Sequence, residues 1–358
     1  MRVFIFFVFI IGEAVAQCNG DISLCQKHYN EVAYLTTHNA FNSADHNYMM
    51  PNQNFGVAKQ LSDGVRGLML DVYDSSGTVV VYHGIPFLGS QHLSEIFSEI
   101  KTFLDSNHNE IVTIIFESYV TANAIDTEMQ SSGLISYAFT KQAGMPWPTL
   151  QEMIDSNKRL VIFSDVNDAG LNQGWYHFVW DFAVETHYSV HDTISFTNDF
   201  NRGDSLNDLF IFNHFITDVP LGFGSPTDAA IINSFPFLSN RLINNFSEKQ
   251  KFPNFITLDF YDSGDGVSVV NWLNTGVLSV EETASKIFSV FPNPANGYFR
   301  IVCRIPNLSF SLMNCQGQTI QTFRSDANGH ATIYVSLSAG LYFIRSQNGC
   351  SYPILICN

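Results

Sequence analysis

Between residues 30 and 275, short β-branched and aromatic runs alternate with segments of helical periodicity. Val32 to Leu35 reads as a strand that ends in Thr36-Thr37-His38-Asn39. Gly67 to Val72 reads as a second, closed by Tyr73-Asp74 and the turn Ser75-Ser76-Gly77. Thr78 to Tyr82 is a third, reaching His83-Gly84. Leu93, Ile96, Phe97, Ile100, Phe103 and Leu104 then recur at helical spacing, and Asn107 to Asn109 stops that helix. Ile111 to Phe116 and Arg159 to Phe163 are continuous apolar runs, the pattern of strands buried on both faces. Pro148 is placed to open a helix through Ile154. Leu209 to Phe212 and Phe255 to Leu258 complete the series. A βαβα order favours parallel strands covered by helices.

Polar residues recur just past these strands: His38, Asp71, His83, Glu117, Asp165, Asn213 and Asp259. In a (β/α) TIM-type barrel the C-terminal strand ends form one rim, where the site is built, and such barrels run to about 250 residues. An open doubly wound sheet is the alternative, but it calls for a Gly-rich turn after its first strand, and this chain has none there. The pattern changes after about residue 280. Residues 279–286 are small and polar, a linker. Residues 287–358 lack helical periodicity and break at Asn293-Pro294, Asn296-Gly297, Gln316-Gly317 and Asn328-Gly329, which predicts a small all-β sandwich.

The N-terminus changes where this α/β chain is expected to act. Arg2, the apolar run Val3 to Ile11 and Ala14-Val15-Ala16 fit a signal peptide over residues 1–16, leaving 17–278 for the barrel. The protein is then secreted or held at the cell surface. Six cysteines suit that setting; Cys18 and Cys25 are close enough to pair, and no CxxC spacing suggests zinc. A net charge of −16 argues against nucleic acid as a partner. It also leaves any peripheral membrane contact without a strong basic patch.

A rim of histidines and carboxylates suits a hydrolase, and phosphodiester cleavage is one reaction that needs such groups. Histidine suits both proton roles in such a reaction, base and acid, because its unperturbed pKa lies near 6.5. His38 and His83 lie on either side of a strand–turn unit. Asn39, Asp71 and Glu117 are oxygen donors that would form part of a Ca2+ or Mg2+ shell. Each residue alone has a plainer explanation: a histidine near a strand end is more often structural than catalytic, and an aspartate there commonly caps a loop. Their joint position at one rim is what points to a site.

The motifs carry a resemblance. Thr36-Thr37-His38-Asn39-Ala40-Phe41 resembles the first catalytic block of the phosphatidylinositol-specific phospholipase C X domain. Gly64 to Asp74 resembles the second, Val81-Tyr82-His83-Gly84 the third and Ile114-Ile115-Phe116-Glu117 the fourth. Looser similarity continues through Trp147 to Leu150, Lys158 to Phe163, Asn213-His214-Phe215 and Asn254 to Tyr261. The resemblance implies an incomplete or distorted TIM barrel acting on a phospholipid or another phosphodiester. It implies His38 as base, His83 as acid and Asp259 as the carboxylate orienting His38, with Arg66 and Asp165 as candidate phosphate and substrate contacts. Metal-dependent members carry Glu two residues before the motif Asp; here that residue is Met69, so a metal-free route stays open beside Ca2+ or Mg2+. A non-catalytic binding protein and a glycerophosphodiester- or sphingomyelin-cleaving enzyme are the alternatives. Val290 to Ala295, Gln316-Gly317-Gln318 and Leu337 to Phe343 resemble the C-terminal sorting domain of the type IX secretion system, which implies that export machinery as a partner.

Overall fold

The computed structural model describes residues 17–167, 174–218, 223–275, 288–303, 305–314, 318–347 and 351–357. The signal-peptide residues 1–16 and the linker 279–286 lie outside them. The main strands of the larger unit are β1 (Tyr34–Thr37), β2 (Gly67–Ser75), β3 (Thr78–Val81), β4 (Val112–Ser118), β5 (Leu160–Ser164), β6 (Tyr176–Phe178), β7 (Ala183–Thr186), β8 (Phe200–Gly203), β9 (Leu209–His214) and β10 (Phe255–Leu258), with the two-residue strand Gln91–His92 pairing on β3. All but β3 and that short strand pair in the order β6-β5-β4-β2-β1-β10-β9-β7-β8. Every step is parallel except the last, where β8 runs antiparallel to β7. Among the described residues no pairing joins the two ends, so the sheet curls into an open barrel. This is the incomplete TIM-type α/β barrel expected from the strand pattern.

The central strands are buried on both faces, as their unbroken apolar runs require: Val112, Ile114, Phe116, Leu160, Ile162, Phe210, Phe212 and Ile256 pack on one face, and Ile115, Val161, Phe163, Ile211 and Phe255 on the other. Helix α1 is Val57–Ser62, and α2 is Leu93–Ser106. Leu93, Ile96, Phe97, Ile100 and Leu104 form the buried face of α2. Each such side chain contributes about 1.5–3 kcal/mol when taken out of water, an upper estimate. The helix expected to open at Pro148 opens later. Thr149 is its N-cap and forms a reciprocal capping box with Glu152, so the helix spans Leu150–Asp155.

β2 continues past Val72 because β3 folds back on it, Ser75 opposite Thr78. Ser76 and Gly77 make the two-residue turn, both with positive φ. Beyond the barrel, residues 288–291, 298–303 and 330–334 form one antiparallel sheet. Residues 309–313, 319–324, 340–346 and 351–356 form a second. They enclose a separate core around Phe299, Phe310, Leu312 and Ile344, the expected small sandwich. The Cys18–Cys25 disulfide is formed, and Cys303 and Cys357 are free thiols.

Candidate active site

His38 follows the last residue of β1 and is fastened at backbone and ring. Its N–H donates to the Leu258 carbonyl at the end of β10, 3.0 Å away. The Gln53 side-chain amide donates to the His38 carbonyl at 2.8 Å and to the Leu258 carbonyl at 3.0 Å, clamping the two strand ends together. The ring Nδ1 lies 2.9 Å from Asp259 Oδ1. Asn52 Nδ2 donates to the other carboxylate oxygen at 3.1 Å. An ionised carboxylate only accepts, so this contact places the imidazole proton on Nδ1 and leaves the Nε2 lone pair available. Phe215, just past β9, lies flat on the ring, with centroids 3.9 Å apart and planes 7° apart. Behind the carboxylate a Cβ on Gly224 would sit 2.6 Å from Asp259 Oδ2, so only glycine lets the chain pass there.

Asn39, Asp71, Glu117 and Asp165 continue the rim. Asn39 is buried with φ 47°, a left-handed conformation that asparagine tolerates better than most residues. Its amide is assigned from its surroundings: the nitrogen facing Asp71 is 3.2 Å from both carboxylate oxygens, and the oxygen, 3.3 Å from His38 Nε2, is placed to accept from that nitrogen once the ring has taken up a second proton. Asp71 and Glu117 are register partners on the parallel strands β2 and β4. Ser118 N–H donates to Asp165 Oδ1 at 2.9 Å. Burial, then the charges of Glu117 and Asp165, push the Asp71 carboxyl well above the usual carboxylate range. Asp165 is also raised, mainly by burial. Tyr119 donates to Glu117 at 2.6 Å, and that bond, with burial, pushes its phenol up to about 12.

The donor chemistry tests the expected cation. Among the described residues no group of three or more His, Cys, Asp or Glu side chains is placed to hold a metal ion. Asn39, Asp71 and Glu117 supply two carboxylates; the apolar Met69 lines the cleft beside them, and the Asn39 amide nitrogen is engaged by Asp71. This set is a partial oxygen shell, which water and a substrate phosphate would have to complete around a Ca2+ or Mg2+ ion.

His83 sits just past β3 and is partly buried. Burial and the nearby His38 lower its pKa, while Asp259 and Glu117 pull the other way, so the two histidines share one electrostatic site. Arg66 does not reach that site. It precedes Gly67 at the entry end of β2. Its guanidinium is held by Glu110 at 2.8 Å and by the Leu61 and Val65 carbonyls at 2.7 Å, and lies over the Phe103 ring. The expectation of a phosphate contact there is corrected: Arg66 is a structural cation at the wrong end of the strand.

The arginine that does reach the site is Arg202, on β8. Of four arginines between residues 30 and 275 it alone lines a cleft of about 360 Å3 that also includes His38, Asp71, Glu117, Asp165 and Asn213. Glu185 grips it at 2.6 and 3.3 Å, and it lies between the Trp180 and Tyr188 rings, 4.5 and 4.8 Å from their centroids. Burial opposes its charge, but the Glu185 bonds outweigh that and raise its pKa overall. Asn213 donates to Glu185 at 3.1 Å, completing the far wall. Sequence reasoning missed Arg202, Glu185, Asn52 and Gln53. The one available signal for Arg202 was the polar Asp199-Phe200-Asn201-Arg202-Gly203-Asp204 stretch, too short to read as a strand.

The PI-PLC X family model matches residues 24–274. A secretion system C-terminal sorting domain model matches residues 289–352. A PI-PLC X domain-containing protein of Arabidopsis thaliana is 31% identical over 283 residues, 72% of this chain and 65% of that protein. An uncharacterized secreted protein of Arthroderma benhamiae is 26% identical over 274 residues, 69% of this chain and 61% of that protein. The chain therefore spans a little under two-thirds of the length of either relative. A solved phosphatidylinositol-specific phospholipase C from Listeria monocytogenes aligns with TM-score 0.49 and 18% identity, covering 69% of this chain and 94% of that one. With more than half of its length matched by the X-domain model, the chain belongs to the PI-PLC X family.

Proposed function

We propose that the protein is an exported phosphodiesterase that cleaves a phospho-polyol lipid, phosphatidylinositol being the first substrate to try. The observation that carries this is the buried Asp259 carboxylate holding His38 Nδ1 at 2.9 Å, with Nε2 left for a substrate proton. In the first step a headgroup hydroxyl oxygen bonds to phosphorus as its proton passes to His38 Nε2. The bond from phosphorus to the lipid alkoxide breaks, and His83 gives that alkoxide a proton. The products are a cyclic phosphate and a neutral alcohol, and hydrolysis of the cyclic phosphate runs the same two proton transfers in reverse. The lowered pKa makes His83 a stronger acid, and a bound phosphate anion favours its protonated form. Arg202, Asp165, Glu185 and Asn213 face the headgroup with one cation and several hydroxyl acceptors.

No step is routed through a metal ion; chelator sensitivity tests that choice directly. The sorting domain supports export by type IX machinery. Among the described residues no helix is long and apolar enough to cross a membrane. The test is cleavage of phosphatidylinositol and a panel of glycerophosphodiesters, with products followed by phosphorus NMR. Activity lost in both His38→Ala and His83→Ala supports the proposal. Wild type and both variants behaving alike on every diester sinks it and leaves a binding protein.

A further inference from the structure

The residues that follow His38 and Asp259 both turn the chain through the left-handed region. Asn39 has φ 47° and Phe260 has φ 45°. Their strands are parallel neighbours, with Thr37 opposite Leu258, so the two turns stand side by side at the rim. Asparagine tolerates that conformation, but for a bulky aromatic residue it is a true outlier and costly. Phe260 is also 1% exposed, and a Cβ on Gly224 would sit 3.0 Å from its ring. So costly a turn persists only where its surroundings hold it. The Phe260 N–H donates to the Asn52 carbonyl at 2.8 Å, and it is the Asn52 side chain that holds Asp259 Oδ2. The second support is Asn233. Its Nδ2 donates to the Asp259 main-chain carbonyl at 2.9 Å and to the Phe260 carbonyl at 3.3 Å.

We propose that Asn233 is a positioning residue for the proton transfer at His38: its amide keeps the left-handed turn at Phe260, and that turn aims the Asp259 carboxylate at His38 Nδ1. This rests on the phosphodiesterase reading above. Asn233 is fully buried at the end of the helix Pro226–Ile232 and does not line the cleft, so it acts through Asp259 and not on substrate. A carbonyl oxygen only accepts, so the nitrogen end of the amide faces this pair. The two carbonyls belong to the planar peptide units on either side of Phe260, so holding both fixes its φ and ψ. A glycine at this position would adopt the turn without strain but would leave it as freely; a buried phenylalanine held at both peptides does neither. The Asn233 backbone is secured without its side chain, since its N–H donates to the Ala229 carbonyl at 2.9 Å and its carbonyl accepts from the Asp265 N–H at 2.9 Å. The amide is therefore not needed to hold the helix end. Once the turn is released the carboxylate drifts from Nδ1, and a misplacement of about 1 Å in a catalytic geometry is worth roughly 10²-fold in rate.

The histidine tautomers of the full chain are read by long-range proton–nitrogen NMR at about pH 8.5, well above the ordinary histidine pKa near 6.5, with His38→Ala supplying the assignment. Asn233→Ala and the isosteric Asn233→Asp, which turns an acceptor toward both carbonyls, are compared with wild type. Wild type should show His38 as the Nδ1–H tautomer alone, and both variants a mixture in which Nε2–H appears. On phosphatidylinositol their kcat should fall about 10- to 100-fold with KM within about threefold, because the groups lining the cleft are untouched. A variant that folds, judged by its thermal melt, and keeps His38 wholly as Nδ1–H overturns the proposal, as does wild type found as Nε2–H or a variant of unchanged kcat. Failure of both variants to fold overturns it too, because Asn233 would then be a structural residue. The tautomer is read without substrate, so a mixture in the variants beside a wild type that cleaves no diester would overturn the enzyme reading and leave the positioning of Asp259 standing.

Discussion

Asp259→Asn is nearly isosteric and tests what the carboxylate does for His38. Asp259 is 3% exposed and accepts two bonds, from His38 Nδ1 at 2.9 Å and Asn52 Nδ2 at 3.1 Å. An asparagine has one acceptor and one donor end. With its oxygen toward His38, its amide group opposes the Asn52 amide. With its oxygen toward Asn52, its amide group faces Nδ1 and drives the proton to Nε2, where the base must be empty. A charge-assisted hydrogen bond contributes about 1.5–3 kcal/mol. At roughly 1.36 kcal/mol per decade, its loss alone slows the reaction about 10- to 150-fold. Inverting the tautomer removes the base, worth roughly 10²–10⁴. The expected result is a kcat lower by about 10²–10⁴ with KM within about threefold, measured by steady-state kinetics on phosphatidylinositol. A melting temperature near that of wild type excludes misfolding as the cause. A kcat within about threefold of wild type would refute the orienting role.

Further expectations follow from the same geometry. Because His83 must be protonated to act and its pKa is lowered, kcat/KM should fall as pH rises through a limb below about 6.5, with the kcat limb displaced upward by the bound phosphate; coincident limbs above neutrality would contradict it. The raised pKa of Asp71 means that the fold favours its neutral form: that contribution is fully present below about pH 3.9 and is lost as pH rises through the folded value. Asp71→Asn should therefore leave the melting temperature unchanged near pH 3.9 and raise it near neutrality; a lower melting temperature at neutral pH would show that a charged Asp71 is wanted. Gly224→Ala should displace Asp259 and cut kcat by about tenfold at a stability cost of about 1–3 kcal/mol; full activity would mean that the backbone gives way instead.

The strands legible in the sequence were those whose burial leaves an unbroken apolar run. Phe255 to Leu258 was read at its observed limits, and Val112–Ser118 to within two residues. His38 and Asp259 were legible through the motifs around them, although 221 residues separate the pair. Loop residues with no periodicity were not legible. Asn52 and Gln53 matter because the chain after β1 folds back over the β10 end, which no local pattern announces. Arg202 depends on an edge strand that, among the described residues, pairs with β7 alone, so its sequence carries no core signature. Arg66 misled for a related reason: a motif gives a residue's order along the chain and not which end of a strand it occupies. It lies one residue before β2 begins, while Asp71 lies four residues into it.

A change of leaving group separates the roles of the two histidines. From a nitrophenyl ester of a phospho-polyol the nitrophenolate departs without a proton, whereas the alkoxide of a lipid needs one to leave. Rates of His38→Ala and His83→Ala on the two esters are to be compared with wild type at one pH. His83→Ala should lose roughly 10²–10⁴ on the lipid ester and recover to within about tenfold of wild type on the nitrophenyl ester. His38→Ala should lose about as much on both. Equal losses of His83→Ala on the two esters, or recovery by His38→Ala instead, would contradict the assignment.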